Sequence, residues 1–584
     1  MNVLQNVIFP SDQKFSDESL YFHCDTGHFN CIDGCMDMQS DTVISFASYY
    51  NYFSTNTWFN NSEISGLKLG GYCVGSAKIE VFCKSHNAKE FLVKRFFIES
   101  LDGFFSFDLG GGGEINNSLY LKVYSNGEFK IKSMFFYIDD EPKNEVKLGI
   151  VITHYNRKKY VLPAIKRIAD ELLSNAYFKG KVELIVVDNS SNITNEESHG
   201  CTVIPNKNLG GSGGFTRGLI YLKDNGFSHC LFMDDDATCE IESIKRAYNI
   251  FQYSHVDRLA ISGGMLYEHR PTVLHEKGAK FKKLKFIPLK NRTDVSVFNN
   301  VLTLDAYPEK ISYGAWWFFA FKISDITSYP FPFFVKADDM LFGLMNKFKI
   351  ISPNGICVWG EDFGYKDGPM QRYLETRGIF AASVISNDSS RMMIPVSFMK
   401  SIIAMLLSYR YSSAEAVYAG LLDYLKGPDY WVNNMEFDKI LPSLSTCING
   451  ERSEKIDLYE YEYEYDITHK SIYESRFRRL VRLLTANGML LPGFMIKNRI
   501  VLNDKNGVGV FRIIFRSRSV LYYHADTSSG FIATIDRCKF FTILFKSSML
   551  ALKAFFVFGK LSKEYELKSK EIMKESFWRK VYNK

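Results

Sequence analysis

Leu231-Phe-Met-Asp-Asp-Asp-Ala237 constrains this chain more than any other stretch. An apolar run that stops abruptly at Asp234, Asp235 and Asp236 predicts a buried parallel strand whose C-terminal end delivers carboxylates into a crevice, where open α/β sheets bind ligands. Three adjacent carboxylates repel one another, and a hard divalent cation between them relieves the repulsion. Mg²⁺ or Mn²⁺ held by one or two carboxylates usually also binds substrate phosphates, so the pattern points to a nucleotide-diphosphate site. The competing reading is a solvated acidic turn before a helix beginning near Glu240.

The residues upstream favour the crevice. Leu148-Gly-Ile-Val-Ile-Thr reads as a first buried strand, Lys158 to Leu173 as an amphipathic helix, Val182-Glu-Leu-Ile-Val-Val as a second strand and Cys201-Thr-Val-Ile as a third. Polar groups follow each strand: Thr153, Asn156 and Arg157, then Asp188 and Asn189, then Asn208. Singly each is a turn or cap residue; at successive strand ends they lie where a nucleotide would. A loop is expected over Asn206 to Arg217, where Gly210, Gly211 and two further glycines permit close backbone approach to a phosphate or ribose. It is not a dinucleotide fingerprint, because Thr216 stands where the last glycine should fall, and no Walker lysine is present.

At 584 residues the chain exceeds one ordinary core. Residues 1–145 alternate short apolar runs, such as Ala77 to Cys83, Leu119 to Tyr124 and Lys130 to Tyr137, with turn signals at Gly110 to Gly113 and Ser125-Asn-Gly127, which predicts an N-terminal β-sandwich. Asp139 to Asn144 is a polar linker, residues 146–380 hold the α/β pattern, and residues 381–584 read as a mainly helical domain with a basic amphipathic tail. Tyr459 to Asp466 alternates tyrosine and acid with a period of two, as a strand or an acidic loop would. The tail from Arg537 carries 12 Lys and Arg against four Glu, leaving the rest of the chain near neutral. Lys539, Lys546, Lys553 and Lys560 recur every seven residues among Phe, Leu, Ile and Met, along one side of a helix that either packs on the core or lies on an anionic membrane. The eleven scattered cysteines and the absence of a secretory start point to the cytoplasm, at the inner face of the cell membrane if the tail binds it. No segment is expected to be apolar enough over 18 residues to span a membrane.

The string Asn208-Leu-Gly-Gly-Ser-Gly-Gly-Phe215, set between Thr153-His-Tyr-Asn-Arg157 and the aspartate triplet, resembles inverting family 2 glycosyltransferases of GT-A fold, particularly the mycobacterial polymerising galactofuranosyltransferase group. Gly314-Ala-Trp-Trp-Phe-Phe319, Val335-Lys-Ala-Asp-Asp-Met340, Cys357-Val-Trp359, Tyr365-Lys-Asp367 and Tyr373-Leu-Glu-Thr-Arg377 follow in that group's order. The resemblance implies a UDP-galactofuranose donor and a lipid-linked or polysaccharide acceptor. It also implies Mn²⁺ or Mg²⁺ on Asp234 and Asp236, Asp339 as general base, and Asp338, Trp316 and Trp317 around the sugar. One departure stands out: the group places a metal-binding histidine after the tryptophan matched by Trp359, and this chain has Gly360, leaving Glu361 or Asp362 to supply an oxygen ligand. A related donor such as dTDP-rhamnose, or a non-catalytic glycan-binding assembly protein, are the alternatives. Nucleic acid is not an expected partner, and a homo-oligomer is left open.

Overall fold

The computed structural model describes residues 1–10, 17–32, 34–111, 118–466, 474–505, 507–525 and 527–583. Three long strands, β1 (Gly66–Lys84), β2 (Phe91–Gly111) and β3 (Ser118–Ile138), organise the N-terminal part. β1 pairs antiparallel with both β2 and β3. The other edge of β3 is lined in turn by Val43–Ser45, Cys35–Met38 and Asn2–Val7. Ser125-Asn-Gly127, expected to be a turn, lies inside β3, so the two runs predicted as separate strands are halves of one. The ladder slips there: Ala77 faces Ser125 while Gly75 faces Phe129. Gly75 has φ +105°, and a Cβ on it would lie 2.3 Å from the Glu128 carbonyl oxygen. A bulge therefore bends and twists the strand without reversing it. In the Gly110 to Gly113 cluster, residues 112 and 113 lie outside the described residues.

The central sheet contains β4 (Leu148–His154), β5 (Val182–Asp188), β6 (Thr202–Pro205), β7 (His229–Asp234), β8 (Leu259–Ser262), β9 (Phe319–Lys322) and β10 (Lys349–Ile351), in the order β6-β5-β4-β7-β9-β8-β10. All paired neighbours are parallel except β9, which runs antiparallel to β7 and β8. Ile150, Val151 and Ile152 on β4, Leu184 to Val187 on β5 and Leu231 to Met233 on β7 are at most 1% exposed. Burial on both faces is what continuous apolar runs in a parallel sheet require. The strand order turns back at β4, so the ends of β4 and β7 open the crevice.

Helix α1 (Gly210–Asp224) crosses from β6 to β7, and α2 (Ile241–Tyr253) follows β7. α2 also fastens the N-terminal sheet: buried Glu242 accepts from the Asn6 amide at 2.7 Å, and its partner Arg246 donates to the Asn6 carbonyl at 3.0 Å. Helix α3 (Asp338–Asn346) begins beside the crevice.

Helices α4 (Pro369–Ile385), α5 (Met393–Leu407), α6 (Tyr411–Tyr424) and α7 (Arg537–Ile572) pack together as expected for the C-terminal region. The reading of that region as mainly helical missed a five-stranded sheet built on Lys497–Asp504, Ser517–His524 and Ser529–Thr534. Runs of four to eight apolar residues do not distinguish strand from helix by period alone. Tyr463–Asp466, the end of the tyrosine–acid alternation, is an edge strand of this sheet.

The tail expectation also needs correction. Over 18 residues α7 reaches a mean hydropathy of 1.6, long and apolar enough by length and composition to cross a membrane, with a third of that window buried. One face, Phe540, Ile543, Leu550, Ala554, Leu561 and Tyr565, is buried against the neighbouring helices. The other exposes Phe541, Phe545, Met549, Leu552 and Phe556.

Candidate functional site

The sheet places Asp234 directly beside Thr153 across the β4–β7 pair. Glycines then seat α1 on β4. A Cβ on Gly214 would lie 2.3 Å from Thr153 Cγ2, and one on Gly218 would lie 2.3 Å from Val151 Cγ1. The glycine run expected to be a loop is thus the first turn of a helix pressed onto the sheet, its N-terminus aimed at the crevice as an anion site requires. The same glycines admit a second segment. A Cβ on Gly210, at φ +65°, would meet the Phe334 carbonyl oxygen at 2.2 Å, and one on Gly211 would come within 3.2 Å of Asp338 Oδ2. Ser212 completes the join, its amide donating to the Phe334 carbonyl at 3.1 Å and its hydroxyl to Asp338 at 3.2 Å.

That second segment is strained. Phe334, Lys336 and Ala337 have φ of 76°, 70° and 69°, a region costing non-glycine residues on the order of 1–3 kcal/mol each, and such strain clusters at functional sites. It delivers Asp338 and Asp339 to the first turn of α3, beside Asp234. The three carboxylates line a cavity of about 320 Å³ with Trp316, Trp317, Phe363, His275 and Glu276. Trp316 packs edge-on against Phe215 and Phe232, and Trp317 donates from Nε1 to the Gly263 carbonyl at 3.2 Å while stacking on Phe363.

Charge in the cavity is unevenly compensated. Burial, then repulsion from Asp236, Asp235, Asp338 and Asp339, pushes the Asp234 carboxyl well above the usual carboxylate range. Among the described residues the Asp234 carboxyl has no ion-pair or hydrogen-bond partner. Burial and Asp339 push Asp338 up to about 7, and burial pushes Asp339 up to about 6. The Asp339 carboxylate accepts from the Met340 amide at 2.7 Å and, among the described residues, joins no ion pair. Asp235 and Asp236 have cationic partners: Arg157 donates to Asp235 at 2.9 Å and to Asp236 at 2.6 Å, and Lys366 Nζ lies 3.1 Å from Asp236. Buried Asp235 also faces His154 Nδ1 at 3.5 Å.

Residues 149–301 match the model of the family described as glycosyl transferase family 2. They form a family 2 glycosyltransferase domain. The chain is 22% identical over 430 residues to galactofuranosyltransferase GlfT2 of Mycolicibacterium smegmatis, covering 68% of this chain and 66% of that protein. Against GlfT2 of Mycobacterium tuberculosis it is 21% identical over 449 residues, covering 69% and 68%. The chain therefore spans about two thirds of the length of these relatives. The solved structure of GalNAc-T7 with UDP, GalNAc and Mn²⁺ covers 56% of this chain and 62% of its own, at 9% identity and a TM-score of 0.32, too distant for its ligands to be carried over.

In the glycosyltransferase domain the strand-end residues divide into those facing the crevice and those supporting it. Both Asp188 oxygens are engaged by Ser190, Asn192 and Ile193 at 2.7–2.9 Å, so this carboxylate shapes the loop after β5. Asn189 donates to the Gly210 carbonyl at 3.3 Å, and Asn208 accepts from the Gly210 amide at 3.2 Å; both hold the turn before α1. Asn156, at φ 53°, is exposed beside Asn192, and the buried Thr153 hydroxyl is unpartnered at the crevice floor.

The oxygen donors expected for Mn²⁺ or Mg²⁺ suit a hard cation, and uncompensated Asp234 calls for one. They are not assembled: among the described residues no three His, Cys, Asp or Glu side chains converge as a metal group. Asp362 accepts from the Gly364 amide at 2.8 Å. Glu361 is paired to Lys366 at 3.2 Å, and a Cβ on Gly360 would meet the flexible end of Met265 at 2.6 Å.

The sequence reading passed over His275, Glu276 and Phe363 in the cavity wall and gave no role to Lys366, which pairs with Asp236 beside it. Glu276 ends Arg270–Glu276, buried with Oε1 unpartnered and pushed up to about 8 by burial and then by Asp339. Nothing local marks it, whereas Lys366 lay within the noted Tyr365-Lys-Asp367 string.

Proposed function

We propose that this chain transfers galactofuranose from UDP-galactofuranose, with inversion, to a lipid-linked or polysaccharide acceptor in cell-surface glycan synthesis. The observation carrying the reading is Asp339, a nearly partnerless carboxylate beside Asp234 in a cavity walled by Trp316 and Trp317. An acceptor hydroxyl is a weak nucleophile. A carboxylate on the side opposite the leaving diphosphate removes its proton as the new bond forms, which inverts the anomeric centre. Asp338, tied to Ser212, positions that turn, and the tryptophans and Phe363 shape the sugar pocket. The N-terminus of α1, Arg157 and Lys366 supply positive potential where the nucleotide diphosphate leaves. A divalent ion on Asp234 and Asp236 would add Lewis-acid stabilisation of that diphosphate. A donor panel including UDP-galactofuranose and dTDP-rhamnose, read by product mass, tests the assignment; turnover of a different donor alone, or binding with no turnover of any, would overturn it.

The elevated carboxyl of Asp339 sets a pH dependence. Only the ionised base accepts a proton, so kcat/KM is expected to fall as pH drops through about 6. Stability should move oppositely. A carboxyl whose folded pKa is raised binds more protons folded than unfolded, so its contribution is greatest below the unfolded value near 4 and declines as pH rises through about 6 to 7. Rate profiles and melts over pH 4–8 check both; a rate flat across pH 5–7 would remove the titrating base.

We also propose that the C-terminal region rests on an anionic membrane surface. The outward stripe Phe541, Phe545, Met549, Leu552 and Phe556, flanked by exposed Lys539, Lys553 and Lys560, supports this reading. Deleting the tail would strip the cores of α4 to α6, so substitution is the cleaner test. Phe545→Ser with Phe556→Ser should lose flotation with anionic liposomes, and the wild type should lose it with rising salt, since each lysine contributes about 1 kcal/mol and is screened over about 8 Å. Undiminished flotation of the double variant would put the contact elsewhere.

A further inference from the structure

Asp236 and Glu361 are joined by a side chain of the protein itself. Lys366 Nζ lies 3.1 Å from Asp236 Oδ2 and 3.2 Å from Glu361 Oε2. Its side chain is one-third exposed. Although burial pushes it down, Asp236 and Glu361 hold it above the ordinary lysine range. The turn that carries it is pinned from behind: Asp367 pairs with Arg372 at 2.7 Å and with buried Arg410. Phe363, in the same turn, has Lys336 and Lys366 over its ring at 4.9 and 5.9 Å. Arg157 contacts the same Asp236 Oδ2 atom as Lys366, at 2.6 Å.

We infer that Lys366 is a built-in placeholder for a divalent cation. In the donor-free protein its ammonium occupies the position between Asp236 and Glu361, and it is released to the donor's diphosphate when a metal–nucleotide complex arrives. This inference rests on the glycosyl-transfer reading for the identity of the incoming ligand. The physical basis is competition for the same lone pairs. An ammonium in hydrogen-bond contact with both carboxylates must be displaced before a hard cation can use them, and that displacement is costly while the lysine has no alternative anion. The diphosphate provides one. Metal and nucleotide should therefore bind with positive coupling, each favouring the other by the same factor. Without Lys366, bare metal should bind well and the coupling should shrink. Gly360 has no side chain to add a ligand, and release of Lys366 would leave Asp236 and Glu361 as open oxygen donors.

The test uses the full chain and Mn²⁺ as probe, read by electron paramagnetic resonance of free ion, with and without UDP. Wild type should bind Mn²⁺ weakly alone and about tenfold or more tightly with UDP, within the range usual for coupled sites. Lys366→Met should bind Mn²⁺ alone about tenfold more tightly than wild type, with most of the UDP effect gone, whereas Lys366→Arg, which keeps the cation, should stay near wild type. Circular dichroism and melting of each variant check that the fold is kept. Unchanged or weaker Mn²⁺ binding by folded Lys366→Met would overturn the inference, as would equal tightening in Lys366→Arg. If UDP binds with Mn²⁺ in every protein but Lys366→Met shows no gain, the inference alone fails. If UDP binds to none of them under any metal condition, the glycosyl-transfer reading fails instead.

Discussion

Asp339→Ala is expected to lower transfer about 10²- to 10⁴-fold while UDP binding is kept, the loss that removing a general base typically causes. The direction follows from where the side chain sits. Asp339 lines the cavity, accepts from the neighbouring Met340 amide and, among the described residues, joins no ion pair, which leaves a carboxylate oxygen for a substrate hydroxyl. Burial holds the carboxyl near 6, making it a stronger base than an exposed aspartate and still ionised at neutral pH. Removing it also relieves repulsion on Asp338 and Asp234, so the fold should not suffer. Asp338→Asn gives a contrasting control, because the amide keeps an oxygen for the Ser212 hydroxyl and should spare much of the rate. Stopped or discontinuous assays of sugar transfer, with UDP titration alongside, read both quantities. If Asp339→Ala keeps more than about a tenth of the wild-type rate, Asp339 is not the base.

The second large effect concerns stability. Arg410 is 1% exposed and joins two buried acids, donating to Glu451 at 3.0 Å and to Asp367, with a further bond to the Gly507 carbonyl at 2.7 Å. Glu451 in turn accepts from the amide and hydroxyl of Ser413 at 2.8 and 2.6 Å. Arg410→Met would leave Glu451 buried without its cation and Asp367 held by Arg372 alone, and breaking one partner of a buried pair costs about 3–5 kcal/mol. A marked fall in the denaturation midpoint is expected, together with faster proteolysis or hydrogen exchange around residues 361–368, since Asp367 anchors the turn that carries Lys366. A loss of under about 1 kcal/mol, the size of an exposed pair, would mean that water reaches these acids and that the network is not buried in solution.

How much of this was legible in the sequence depends on the range of the interactions involved. Parallel strands buried on both faces leave continuous apolar runs, so β4, β5 and β7, the crevice at their ends and Asp234 could be read directly from residues 148–236. The family 2 glycosyltransferase resemblance likewise rests on short strings whose chemistry is local, such as Asp338-Asp339 opening a helix. Tertiary packing decided what those strings do. Asn206 to Arg217 reads as a glycine loop for close backbone approach to a ligand, yet Gly214 and Gly218 lie at contacts where a Cβ would strike Thr153 and Val151, and only the folded sheet supplies those neighbours. Ser125-Asn-Gly127 has turn chemistry but becomes a bulge, because β1 pairs along both sides of it. Asp188 carries a nucleotide-site signature at a strand end and spends both oxygens on its own loop. The pairing of Lys366 with Asp236 spans 130 residues, and Glu276 faces Asp339 from a strand 63 residues earlier. The sequence by itself therefore determined the sheet, the acidic strand end and the family 2 resemblance of residues 149–301, because periodicity and short motifs are encoded within a few residues. Which acids are compensated, which are left as proton acceptors and where a cation is already seated were decided only when distant segments packed together and excluded water, since a carboxylate's charge state depends on the neighbours and solvent that folding gives it.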